Sequence, residues 1–310
     1  MELRHLRYFW AVGQELHFGR AAEKLHIEQS PLSRAIKELE DDLGAQLLER
    51  SSRGTRLTWA GQVLMEDIGR IFTAIEQARA NVRAAASGYR GTLRIALSDG
   101  IIAQRIAALL ACCREEEPEV DLRLFEVPFS VQCKGLRDDL YDVGFARSNE
   151  VGDGIAATAI WSDKLVIMVP ARHPLLSHPQ VPLDEALKFP LVLCHPEACV
   201  GTHRQMERLL HSATVQPVVA EHVATPDLMY ALVAAGYGVG FTSESNASIC
   251  RNSDIVVRPL AGSPLSISTY LLQPDTEPFA QLSRFVERAI RMAPEDQTAL
   301  LDPIEPDSAA

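Results

Sequence analysis

Apolar positions in the first ninety residues recur at helical steps, with only short breaks between them. The segment LHFGRAAEKLHIEQSPLSRAIKELEDDLG, residues 16–44, reads as two helices joined by a tight break. Ala21, Ala22 and Leu25 give the first helix a small inner face. Leu32, Ile36, Leu39 and Leu43 step by 4, 3 and 4 along the second, and Gly44 supplies a stop. Opposite that stripe lie Ser30, Ser33, Arg34 and Lys37. This is the layout of a helix-turn-helix, whose second helix offers its N-terminal residues to the major groove. A helix pair that merely packs is the competing reading. The next stretch, LLERSSRGTRLT, predicts two short strands around Arg53-Gly54, lined by Arg50, Arg53 and Arg56. It is either a wing that touches phosphates or the minor groove, or a solvated basic turn.

A long helix follows over 59–86. Leu64, Ile68, Ile71, Ile75, Ala78, Val82 and Ala85 are spaced 4, 3, 4, 3, 4 and 3, a seam sustained for three heptads. Packing on the chain's own body is one use of such a seam, but the regular repeat favours a second copy of the same helix. Self-pairing would set two recognition helices on one duplex.

Beyond a hinge at 87–91 the pattern alternates. TLRIALS, VDLRLFEV, DVGFAR, KLVIMVP and FPLVLC read as strands. Helices fall near 101–117, 130–139, 201–212 and 226–235, the last capped by Thr225, and a final one spans 278–292. Alternation of this kind predicts an open α/β sheet. The chain crosses into a second lobe near 162–164 and returns near 266–270.

The stretch MELRHLRYFWAVGQELHFGRAAEKLHIEQSPLSRAIKELEDDLGAQLLERSSRGTRLTWAGQ resembles a LysR-type transcriptional regulator, and the likeness extends to about Ala293. The wording ELHFGRAAEKLHI is similar to regulators of aromatic-compound catabolism. The resemblance implies an α/β chain with an N-terminal all-α winged helix-turn-helix, a long linker helix and a two-lobed, periplasmic-binding-protein-like effector domain. The corresponding boundaries are 1–58, 59–87 and 88–293, with lobe I at 92–163 and 267–293 and lobe II at 164–266. A tail at 294–310, acidic and proline-containing, is expected to be disordered. The implied partners are double-stranded DNA with an interrupted palindrome, a small-molecule effector, further copies of the chain as a dimer or dimer of dimers, and RNA polymerase.

Residues carry over where the motif matches. Gln29, Ser30, Pro31, Ser33, Arg34 and Lys37 fall on the recognition helix, with Arg50 and Arg53 on the wing. Glu28 stands where the family usually has a capping hydroxyl. Either Glu28 complements the helix dipole, or Ser30 caps with Pro31 at the first helical position.

Charge alters this picture in one respect. The net charge of −11 argues superficially against nucleic acid, yet residues 1–91 hold 13 Lys+Arg against 12 Asp+Glu, and the remainder 17 against 29. The DNA-binding part is near neutral, so affinity has to rest on base contacts, placed arginines and dimer geometry more than on bulk attraction. Hydrophobic content of 47% is that of an ordinary globular chain. Residues 1–16 carry charges throughout, unlike a signal peptide, and IIAQRIAALLACC is interrupted by Arg105 and too short for a span; a cytoplasmic protein is expected, with no membrane partner.

Open α/β sheets bind ligands beyond the carboxyl ends of their strands, where helix N-termini offer N–H groups to anions. The residues at those positions are Ser98, Asp99, Gly100, Ile101, Phe129, Arg147, His195, Thr202 and Thr225. By resemblance they surround the inter-lobe effector cleft. Arg147 ends DVGFAR and is either a carboxylate-binding cation or one half of a structural salt bridge. Gly100 and Pro128 replace hydroxyl residues common in the family, and Asp99 adds negative charge. The expected effector is therefore a small anion that also carries a donor group, not a bare aromatic acid.

The six cysteines are expected to be reduced. The alternative on the same scaffold is a redox or metal sensor using Cys194 and Cys199. His195 and His203 would complete the metal version, at a spacing unlike standard zinc motifs. Gly236, Gly238 and Gly240 precede a strand and do not form a dinucleotide fingerprint. No catalytic constellation is found and no cofactor is expected, which excludes an enzyme reading.

Overall fold

The computed structural model describes residues 1–51, 54–98, 101, 103–211, 213–250, 252–262 and 265–292. The chain divides into two compact units, Met1–Ala80 and Asn81–Ala310, and one long helix runs through the boundary. The expected wing tip at Arg53 and the tail at 294–310 lie outside the described residues.

In the first unit three helices close on one core. Leu6, Phe9 and Val12 of α1 (Leu3–Glu15), Ala21 and Ala22 of α2 (Phe18–Leu25), and Leu32, Ile36 and Leu39 of α3 (Gln29–Leu43) are buried together. The break between α2 and α3 rests on His26, a left-handed residue at φ 55° that stops α2 without a glycine. Helix α3 begins at Gln29. Its N-cap is Glu28, whose side chain makes no capping bond, so of the two boundaries open in the sequence the earlier is adopted. Leu43 is 41% exposed, so the inner stripe ends a turn before the helix does.

Strands β1 (Leu48–Ser51) and β2 (Gly54–Leu57) pair antiparallel with Leu48 opposite Leu57. Glu40 ties α3 to this hairpin, one carboxylate oxygen accepting from the Leu47 and Leu48 amides at 2.8 and 3.1 Å. The linker helix α4 (Trp59–Ala86) starts at Thr58, whose hydroxyl accepts from Gly61 N at 3.0 Å and donates to Gln46 O at 2.7 Å. Gly61 lies so close to the Leu47 carbonyl that any Cβ would overlap it.

The heptad seam is divided. Ile68 is fully buried in the three-helix core, with Leu64 and Ile71 packed against the same cluster. Later positions are open: Ala78 and Ala85 are exposed, and Val82 is 70% exposed. The expectation that the whole seam faces a second copy is corrected for its first half, which packs within the chain. Periods of 3.5 and 3.6 barely diverge over two turns, so spacing alone cannot separate packing within a chain from packing between chains.

The second unit is a mixed nine-stranded sheet bent into two lobes. In lobe I, β3 (Gly91–Leu97) leads through α5 (Ala103–Glu116) to β4 (Val120–Glu126), and α6 (Phe129–Arg137) returns to β5 (Val143–Ala146). Strand β3 pairs in parallel with both β4 and β5. The crossing is made by one 16-residue strand, β6 (Ile155–Pro170). Lobe II holds α7 (Leu183–Ala186), β7 (Leu191–Cys194), α8 (Val200–His211), β8 (Val219–Val223), α9 (Pro226–Ala234), β9 (Val239–Ser243), α10 (Glu244–Ile249) and β10 (Ile255–Pro259). The return strand β11 (Ser266–Pro274) pairs with β6 along its whole length, with one register shift between Thr269 and Tyr270. Helix α11 (Ala280–Arg291) then closes lobe I. Its Phe285 meets Phe145, which stacks on Trp161, whose indole N–H donates to Ala289 O at 3.1 Å.

Helix α11 is clamped to α5 by charge. Arg288 is buried and donates to Glu116 at 2.5 Å and to Glu117 at 2.7 Å. Hydrogen bonds from Arg288 and then Cys112 hold the Glu116 carboxyl at about 2, below its ordinary 4.5. A carboxylate depressed in the folded state stabilises it fully above 4.5 and ceases to do so as pH falls towards 2. Arg288→Met is expected to cost about 3 kcal/mol at neutral pH, the lower end for breaking a buried pair because exposed Glu116 rehydrates. The variant is also expected to lose less of its remaining stability between pH 4.5 and 2 than the parent does. Thermal melts across that range check both points; parallel pH profiles would disconnect the clamp from acid stability.

Candidate functional site

Two surfaces carry candidate chemistry. On the first unit, Ser30, Ser33, Arg34 and Lys37 line one broad open depression with Gln46 and Leu48. Ser30, Arg34 and Lys37 are exposed and Ser33 is half-buried, because the inner face of α3 is consumed by Leu32, Ile36 and Leu39. Gln29 and Pro31 are exposed on the same first turn. The first turn offers amides that Glu28 leaves uncapped, an anion-favouring end. Asp41, also on the rim, opposes phosphate at the other end of the depression. The Arg50 and Arg53 side chains lie outside what is described.

The second surface is internal. A cavity of about 50 Å³ sits where the lobes meet. From lobe I it is walled by Arg147, which is 3% exposed and donates towards Ile267 O at 3.4 Å. From lobe II it is walled by Thr202, Thr225, Tyr230 and Asn246. Thr225 also caps α9, accepting from Leu228 N at 3.3 Å. Burial pushes the Tyr230 phenol up, against a hydrogen bond with Thr242, so it stays protonated and able to donate. Cys194 and Cys199 line the same cavity, neither of them in a disulfide, with Cys199 donating to Ala224 O at 3.3 Å.

The lobes are stitched around this cavity. Gln205 of α8 donates to Arg147 O at 2.5 Å and to Ser268 O at 2.9 Å, and accepts from Ser268 N at 2.7 Å. Arg204 pairs with Glu150. Near the crossover strands Asp163 accepts from Ser245 of α10 at 2.7 Å and from Arg105 of α5 at 3.3 Å.

Of the residues expected in the cleft, Arg147, Thr202 and Thr225 are brought together. Ser98 follows β3 directly, with a buried hydroxyl that has no partner among the described residues. Phe129 is buried in the core beneath α6 and does not line the cavity. His195 does not line it either: its Nδ1 accepts from Glu197 N at 3.2 Å and its ring lies near His222. Ile101 is half-buried, and Asp99 and Gly100 lie outside the described residues. Sequence reasoning missed Tyr230 and Asn246. Tyr230 sits in the apolar run PDLMYALVA, where a single hydroxyl among core-like residues was the only signal. Among the described residues no group of three or more His, Cys, Asp or Glu is arranged to hold a metal ion, and no helix is long and apolar enough to cross a membrane.

A winged helix-turn-helix together with a two-lobed α/β domain of the substrate-binding type defines a DNA-binding transcription regulator. The chain belongs to the LysR family: residues 3–62 match the bacterial regulatory helix-turn-helix protein, lysR family, and residues 86–293 the LysR substrate binding domain. It is 35% identical over 246 residues to the HTH-type transcriptional regulator YnfL of Escherichia coli (strain K12), covering 79% of this chain and 83% of YnfL. It is 31% identical over 253 residues to the HTH-type transcriptional regulator BenM of Acinetobacter baylyi, covering 80% and 82%. Full-length CbnR, solved in complex with its target DNA, superposes with a TM-score of 0.75 at 28% identity, over 94% of this chain and 99% of CbnR.

Proposed function

We propose that this regulator binds a two-fold operator as a dimer, or a dimer of dimers, and that a small-molecule effector seated between its lobes controls the output. The boundaries 1–58, 59–87 and 88–293 then correspond to DNA reading, self-association and effector sensing. The observation that carries the effector reading is the junction cavity, where a buried arginine from one lobe faces hydroxyl and amide side chains from the other. A guanidinium at such a place selects an anion, and Thr202, Thr225 and Asn246 suit an effector that also carries a hydroxyl or amine. Gln205 and the Arg204–Glu150 pair favour the closed arrangement, and an effector that contacts both lobes adds to that preference. Solved relatives include a complex with target DNA, which supports the DNA half of the reading by likeness.

Arg147→Ala is expected to abolish effector-dependent transcription while leaving effector-free operator binding within about threefold of the parent. Reporter output and operator gel shift on the same protein check this, since a misfolded variant loses both. A variant that responds at the parent's effector concentration removes Arg147 from the site. A redox reading is favoured by one observation, that Cys194 and Cys199 line the same cavity and are not joined in a disulfide. Cys194→Ser and Cys199→Ser separate the readings: only a thiol sensor loses its response to oxidant.

A further inference from the structure

A second, larger cavity opens within lobe II, between α8 and the β7–β8 edge of the sheet. It has a volume of about 390 Å³, in the range of small-molecule sites. Helix α8 turns His203, Met206, Glu207 and Leu210 towards it, a stripe at steps of 3, 1 and 3. Leu193 and Val219 from the strands complete an apolar floor, and His222 stands on the rim facing His203 with ring centroids 5.8 Å apart. Nothing in the regulator mechanism uses these histidines.

The chemistry of the rim is specific. The Nδ1 of His203 lies 2.9 Å from the Cys194 carbonyl oxygen, which can only accept, so Nδ1 carries the proton. In the neutral ring Nε2 is then a lone-pair acceptor that seeks a donor. The described lining holds neither Arg nor Lys, and Glu207 adds a negative charge, so the site is poor for an anion. An apolar floor with one imidazole acceptor and a second imidazole within reach of the same oxygen suits a neutral ring bearing a hydroxyl. We propose that lobe II holds a second ligand site, distinct from the inter-lobe cavity, for a small monocyclic phenol whose hydroxyl donates to His203 Nε2 and accepts from His222. The two cavities share Cys194 and Met206 as a common wall, so a ligand in one presses on the lining of the other.

The test uses the full chain and p-cresol, followed by isothermal titration calorimetry, with toluene as the probe lacking a hydroxyl. Saturable binding of p-cresol is expected, with toluene at least tenfold weaker. His203→Phe is expected to weaken p-cresol at least tenfold. Val219→Trp, at a partly exposed edge position, is expected to fill the cavity and abolish binding while the thermal melt stays that of a folded chain. Absence of saturable binding overturns the proposal, as does unchanged affinity in both variants. Loss of p-cresol in Arg147→Ala with retention in Val219→Trp also overturns it, because the phenol would then occupy the inter-lobe cavity. Loss of effector response in Arg147→Ala with p-cresol binding intact leaves the two sites separate, as proposed.

Discussion

Asp at both Ala78 and Val82 is expected to turn the dimer into a monomer and to lower operator affinity by about 10²–10⁴-fold, the range that tethering two binding heads contributes. Both positions are exposed on the single chain, Val82 at 70%, so the substitutions should leave the folded monomer within about 0.5 kcal/mol of its parent stability. In a pair of helices they would place two like charges from each chain in an apolar seam, where uncompensated charge is strongly unfavourable. Asp at Ile71 would be a poorer test, since Ile71 packs against the helix-turn-helix core and its loss would unfold the head as well. Sedimentation velocity reports the oligomer and gel-shift titration the affinity. A double variant that still sediments as a dimer would move the self-association surface elsewhere.

Arg34→Ala is expected to cost about 1–3 kcal/mol of discrimination between the operator and a scrambled duplex for each recognition helix. Arg34 is exposed near the start of α3, two residues past the buried Leu32, so removing it takes nothing from the core. Lys37, one turn further along, is the contrast. A lysine acts on phosphate as a point charge, so Lys37→Ala should weaken both duplexes alike and reduce the salt slope by about one. Titrating each variant against both duplexes at several salt concentrations distinguishes a base reader from a backbone anchor. Equal losses on the two duplexes for Arg34→Ala would make it an anchor too.

The head was legible because local spacing and tertiary burial agree there. Leu32, Ile36 and Leu39 form a stripe in the sequence and a core in the fold. The strand β6 was only half legible. KLVIMVP is an apolar run, but IAATAIWSD has no period of two strong enough to read, and it becomes strand because β11 arrives from more than a hundred residues away to pair with it. The cleft was partly legible for a related reason. Arg147, Thr202 and Thr225 follow from the rule that ligands gather at strand ends and helix starts. Tyr230 lies mid-helix and reaches the cavity through side-chain length, which position in the chain does not encode. His195 obeys the rule and still misses the cavity, because its ring nitrogen is spent on its own turn.

The lobes are joined through β6 and β11, two strands bonded to each other from Ile155 opposite Pro274 to Lys164 opposite Ser266. Such a ribbon resists shear, since sliding breaks its ladder, but it yields in twist, the natural soft coordinate of paired strands. The register shift between Thr269 and Tyr270 places one irregular step in the middle of it, the local winding point of the ribbon. On the proposed reading, opening and closing of the cleft would amount to loading and unloading a torsion bar. Its rest angle is set by backbone pairing, and the proposed effector would alter the torque on it without altering the axis.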